Sequence, residues 1–366
     1  MSRVRRRAGF VLAAALLVFL TAFAVPVGAQ QGRGAVYTMT NSPVDNEILV
    51  FDRAADGTLS FADSYSTGGS GTGSGLGNQN GVVLTEGGRF LLAVNAGSDE
   101  VSSFRVTSGG LELADVEASN GDHPISVTAR SGLVYVLHDG SAGNVTGFRL
   151  APDGSLEPVP GSTQPLLGVE PAQIQFAPRD RFLVVTEKAS NTISVFPVVR
   201  GRAQAGTSHP SAGQTPFGFA FDGHGRLIVS EAFGGAAGAS AASSYEFDGG
   251  TPDVISASVP TTETAACWVV VTKNSRYAYT TNTGSASITG YEIGSNGELT
   301  RLDEDGVTAT TGAGPIDMAL TVDNRFLYSL DSGAQQISGF AVNADGSLTP
   351  IGATALPGSA NGLAAR

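Results

Sequence analysis

Arg89-Phe90-Leu91-Leu92-Ala93-Val94 reads as one apolar strand, and Asn95 to Asp99 as the loop that ends it. The same opening, a basic residue or Gly followed by an apolar run, starts at Gly34, Arg89, Gly132, Arg181, Arg226, Arg276 and Arg325, at intervals of 43 to 55 residues. A repeat of that length without helical periodicity fits sheet-built blades set in a ring better than helical solenoid turns. Working outward from Arg89, Val101 to Val106 alternates as a second strand, Ser108-Gly109-Gly110 turns, and Leu111 to Ala118 forms a third. Gly supplies the positive φ that such a turn needs. Asp56-Gly57, Asp153-Gly154, Asn296-Gly297 and Asp345-Gly346 mark equivalent turns, each followed two residues on by Leu.

A fourth, apolar strand precedes each later opening: Gly81-Val82-Val83-Leu84, Ile125-Ser126-Val127, Ile174-Gln175-Phe176, Phe217-Gly218-Phe219, Trp268-Val269-Val270 and Ile316-Asp317-Met318-Ala319. The seventh comes from the C-terminus, where Asn361-Gly362-Leu363-Ala364 echoes Asn80-Gly81-Val82-Val83. It is expected to pair with the blade begun near Ala35, closing the ring and removing exposed edges. The expected fold is all-β: a seven-bladed β-propeller with four-stranded blades, sealed by its N- and C-terminal strands and spanning 30–366. Gly68 to Gly77 and Phe233 to Ser240, both rich in tiny residues, read as mobile loops; neither has the Lys or the spacing of a phosphate loop.

Composition narrows the function. The 366 residues are 41% hydrophobic and 15% charged, with net charge −12, which excludes a phosphate-neutralising nucleic-acid surface. One Cys excludes a disulfide framework and Cys-cluster zinc sites. Arg3, Arg5, Arg6 and Arg7 precede an apolar run from Val11 to Val25, and Val27-Gly28-Ala29 has the small residues of a cleavage site. Residues 1–29 therefore read as a secretory signal peptide cut after Ala29, giving a secreted or periplasmic protein. Cleavage leaves 17 basic against 33 acidic residues and no later segment apolar enough to span a membrane. A monomer is expected.

In a propeller, the loops leading into the inner strands and those joining the second and third strands share one face. The repeat phase brings Asn80, Asp122, His123, His138, Glu187, Glu231, Asn282 and Asp331 to that face. His123 suits a general base near neutrality, with Asp122 or Asp139 to orient it; His138, followed by Asp139, offers the same chemistry. Glu187, Glu231 and Asp331 read either as solvated acidic loops or as an acidic ring whose oxygens would bind a divalent cation; no sequence-local ligand spacing supports the ring. The sequence requires no cofactor. Cys267, beside Trp268, reads as a small buried residue. No Gly-x-Ser-x-Gly elbow in a strand-to-helix context supports serine hydrolase chemistry.

The repeat resembles the seven-bladed lactonase family, which includes 6-phosphogluconolactonases and carboxymuconate-lactonising enzymes. The resemblance is carried by Gly88-Arg89-Phe90-Leu91-Leu92-Ala93-Val94-Asn95-Ala96-Gly97, Ala189-Ser190-Asn191-Thr192-Ile193-Ser194-Val195-Phe196 and the Asp-Gly-Ser-Leu turns. It runs from Gly34 to Arg366 and implies a lactone hydrolase whose site has a His and an Arg on inner-strand loops and a Glu on the middle blade. Here Ala172 and Gln173 stand where the Arg-His pair would fall, Glu187 lies one place before the Glu position, and Ser230-Glu231-Ala232 replaces an Asn-Arg pair of some members. Two functions follow. In one, Glu187, His123 and Asp122 activate water against a small-molecule lactone held by Asn80, His138, Glu231, Asn282 and Asp331. In the other, a non-catalytic propeller binds a protein, glycan or cell-surface partner.

Overall fold

The computed structural model describes Met1 and residues 34–366. Apart from Met1, the expected signal peptide lies outside these residues. Seven antiparallel sheets follow one another, and each is a blade. Blade 2 shows the plan, with strands Val82–Leu84, Phe90–Asn95, Glu100–Thr107 and Gly110–Ala118 in order from the inside out. Blades 3 to 7 span 124–165, 171–210, 216–260, 266–310 and 315–355. In blades 3, 4 and 6 the outer strand is broken into two short pieces. No described helix is long and apolar enough to cross a membrane.

Blade 1 is made from both ends of the chain. Its inner strand is Asn361–Ala365, paired antiparallel with Gly34–Met39 in the register Val36 to Ala365 and Tyr37 to Ala364. Thr38 Oγ1 donates to the Asn361 carbonyl at 3.2 Å, and Arg366 N donates to the Ala35 carbonyl at 2.9 Å. The closure read from the C-terminal echo is therefore the observed one.

Hydroxyls reach from one blade into the turn of the next. Tyr135, Tyr279 and Tyr328 are wholly buried, and their OH groups donate to Gly201, Gly346 and Gly57 carbonyls at 3.1, 2.8 and 2.6 Å. Ser103 and Ser244 reach Gly154 and Gly297 in the same way. These acceptors sit in the lower turns between third and outer strands. At Gly57 φ is +89°, and an added Cβ would strike Phe326 and Ile351 of the neighbouring blade. The Asp-Gly turns thus both reverse a hairpin and seat the adjacent blade.

Candidate functional site

One device sets every inner strand from blade 3 to blade 7. A residue with left-handed backbone is followed by the first strand residue: His123, Glu170, Thr215, Ala265 and Gly314, with φ of 57, 55, 56, 58 and 65°. Pro follows in four of the five. The strained backbone at His123 is therefore a property of the repeat, and its chemistry has to be argued from its neighbours. The turn tips the His123 side chain onto the upper face, where the ring is half-buried.

His123 Nδ1 is hydrogen-bonded to Asp139 Oδ1, at the end of the second strand of the same blade. Asp99 of blade 2 accepts the His123 backbone N–H at 2.7 Å, which fixes the loop. The Asp139 bond raises the His123 pKa above the usual imidazole range, against the opposing effect of partial burial. With Nδ1 held by a carboxylate, Nε2 is the nitrogen left for proton transfer, and it has no hydrogen bond among the described residues. Of the two orienting acids expected, Asp139 takes the role. Asp122 instead accepts from Ser141 Oγ at 2.6 Å and braces the loop.

Lys188 reaches over the same mouth from blade 4. Its Nζ donates to the Gly77 carbonyl at 2.8 Å and the Pro171 carbonyl at 3.2 Å, and lies 5.0 Å from the centre of the Phe217 ring. Desolvation lowers its pKa, while Asp139 and Glu170 act in the opposite direction. The sequence has two lysines, Lys188 and Lys273, against nineteen arginines, and both stand beside the central axis. Repeat phase sets Lys188 in the same joining loop as Glu187, and that scarcity was the signal for preferring the lysine.

Beneath Lys188 the axis is blocked. Asn78 and Gln79, at the end of the Gly68 to Gly77 segment, enter the ring as a pin. Gln79 N donates to Ala172 O in blade 4 at 3.0 Å. The Gln79 amide bonds both the N–H and the C=O of Val269 in blade 6, at 3.1 and 2.9 Å. Trp268 Nε1 donates to Asn78 O at 2.7 Å, Asn361 Nδ2 to Asn78 Oδ1 at 3.1 Å, and Asn78 Nδ2 to Ile125 O. Gly218 leaves room for Gln79, whose Oε1 any Cβ there would meet. The segment expected to be mobile is corrected: Gly71 and Gly73 donate to Ser42 and Asn41 carbonyls at 2.7 Å, and Asn41 Nδ2 holds Ser74 O.

The acidic ring is corrected as well. Glu187, Glu231 and Asp331 end second strands at the expected height, but their side chains turn inward and are wholly buried. Glu187 accepts from Gly168 N at 2.8 Å, Thr192 Oγ1 at 2.8 Å and Ser194 Oγ at 2.7 Å. Glu231 accepts from Gly213 N, Ser243 Oγ and Ser258 Oγ; Asp331 from Gly312 N, Ser329 Oγ and Ser338 Oγ. Asn282 donates to Ser287 and Thr289 from the same position. These are clasps within single blades, and they do not converge. No group of three or more His, Cys, Asp or Glu suited to a metal occurs among the described residues.

His138 is the clasp of blade 3, with Nδ1 on the Asn144 carbonyl at 3.3 Å and burial lowering its pKa to about 4. It is a neutral interior ring, with no place on the mouth. Asn80 lies below the pin and faces the lower part of the channel. Cys267 is buried, its thiol pushed up to about 11. The structure thus gathers His123, Asp139 and Lys188 at the upper mouth and separates them from Glu187, His138, Glu231, Asn282, Asp331 and Asn80.

A family model for lactonases with a seven-bladed β-propeller matches residues 33–165, 156–233 and 236–361. No curated protein matches the sequence. Similar solved structures include a candidate 6-phosphogluconolactonase from Bacteroides fragilis, 17% identical with TM-score 0.72, covering 92% of this chain and 99% of that one. The periplasmic gluconolactonase of Pseudomonas aeruginosa is 16% identical with TM-score 0.71, over 90% and 98%. A hypothetical selenium-binding protein from Sulfolobus tokodaii, 10% identical with TM-score 0.65, matches over 91% and 93%. At such identities the likeness to solved structures shows the fold alone.

Proposed function

Because the chain belongs to the seven-bladed β-propeller lactonase family, we propose that it hydrolyses a lactone at the upper mouth, with His123 as general base. The carrying observation is the His123–Asp139 pair, which engages Nδ1 and leaves Nε2 of a partly exposed ring with no hydrogen bond among the described residues. Nε2 takes a proton from water, and the hydroxide adds to the lactone carbonyl carbon as the carbonyl electron pair moves to oxygen. Asp139 holds the Nδ1 proton and stabilises the imidazolium. The Lys188 ammonium offers positive charge to the oxyanion. Collapse re-forms the carbonyl, breaks the ring C–O bond, and the leaving alkoxide takes the proton back from His123. The product is an open-chain hydroxy acid.

The mouth favours an uncharged lactone. Asp99 and Asp122 act on His123, Asp139 and Glu170 act on Lys188, and the Lys188 ammonium already has two carbonyl partners. No guanidinium fork is described among these groups for a phosphate or carboxylate. The same reading makes the protein an exported one, supported by the basic and apolar N-terminal run.

The test is acid release from a panel of neutral and phosphorylated sugar lactones and aliphatic lactones. Loss of a general base removes about 10²- to 10⁴-fold, so His123→Ala should fall by at least about 100-fold with an unchanged melting temperature. A His123→Ala variant at full rate rejects the assignment. A flat response across the panel by the wild-type protein rejects lactone hydrolysis of these classes.

A further inference from the structure

The axis holds a second chamber that chemistry at the upper mouth does not use. Below the Asn78-Gln79 pin lies a cavity of about 410 Å³, within the size range of small-molecule sites. The pin closes its upper end, so it is a blind pocket opening toward the lower face. Leu84, Phe221, Val271 and Leu320 give it apolar surface, to which Thr128, Gln175 and the unpaired inner edges of the strands add uncharged polar groups. No Asp or Glu lines it, although the chain carries 33 acids and a net charge of −12. Its one cation is Lys273, on the lower turn of blade 6, exposed and in no ion pair among the described residues. Asn324 stands beside it, its Oδ1 accepting Lys273 N at 3.0 Å.

We propose that this chamber is a second ligand site, for a small monocarboxylate with an apolar body. The carboxylate meets Lys273 at the rim, and the body passes inward between Leu84, Phe221 and Val271. A carboxylate is preferred over a polyanion because one cation, Lys273, is present, and over a cationic ligand because no Asp or Glu lines the chamber.

The probes are 4-phenylbutyrate and its amide, titrated calorimetrically into the mature protein. The acid should bind about tenfold tighter than the amide, the scale of a partly exposed charged contact at roughly 1.4 kcal/mol per tenfold. Lys273→Ala should erase that preference and leave the amide's affinity unchanged. Lys188→Ala, at the opposite mouth, should leave both affinities as they are. Absence of saturable binding by both probes overturns the proposal. So does a preference that survives Lys273→Ala, or one lost in Lys188→Ala, which would put the ligand at the upper mouth.

Discussion

At the scale of single residues, the same carboxylate chemistry serves opposite ends depending on its surroundings. Asp139 is partly exposed beside His123 and raises the pKa of that ring. Asp139→Asn removes this effect, so the acid limb of the kcat/KM profile should move to lower pH as the rate drops. An acid limb that stays in place would show that another group sets it. Asp317 is wholly enclosed between blade 7 and the closing strand, accepting Met318 N and Leu363 N, and desolvation raises its pKa well above 3.8. A carboxyl whose folded pKa exceeds its unfolded value holds its proton more tightly when folded. Stability is therefore lost as pH rises from the ordinary carboxylate range toward the folded pKa. Asp317→Asn removes that ionisation, so its melting temperature should vary less than the wild type's between pH 5 and 9. Equal slopes would show that Asp317 does not titrate in that window.

At the scale of elements, the clasps show what the sequence discloses and what it withholds. Repeat phase placed Glu187, Glu231, Asn282 and Asp331 at equivalent strand ends, and they are equivalent. Phase gives height along the blade. Whether a side chain at that height faces the mouth or its own sheet depends on a single residue step, because strand side chains alternate. The Ser and Thr partners on the third strand, such as Ser194, Ser243 and Ser338, were the readable hint that these acids are satisfied within the blade. Glu187→Ala leaves the Gly168 N–H and two hydroxyls facing a void, and should lower unfolding stability by about 2–4 kcal/mol. A denaturation midpoint within error of wild type would show that the clasp contributes nothing. His123 was legible because its His-Pro step opens an inner strand. Lys188 was legible as a joining-loop residue but its direction was not, since that depends on Gly77 arriving from a segment more than a hundred residues earlier.

At the scale of the molecule, two distant links hold the ring: the strand Asn361–Ala365 and the Gln79 pin. The first was visible as an echo of the inner-strand pattern. The second reaches across the ring to blade 6, whereas Gln173 makes the same two amide bonds to Phe219 of the adjacent blade at 2.9 and 2.7 Å, so a search for periodicity passes over it. Gln79→Ala strands the Val269 N–H and C=O and should lower the melting temperature, since orphaned buried partners cost about 1–3 kcal/mol each. It should also let water through the axis, detectable as faster amide exchange at Val269. Protection unchanged at Val269 would show that the amide does not seal it.

The closing strand also fixes the order in which the protein can be finished. The Thr38–Asn361 bond spans 323 positions, so among the described strands the earliest waits for the latest. Until residues 361–366 leave the ribosome, Gly34–Met39 has one bare side. A stalled or clipped chain is thus not a slightly shorter propeller but an open one, offering an unpaired edge to any other chain. The tail of a second copy carries the missing strand, so the same opening is a route to an exchanged dimer.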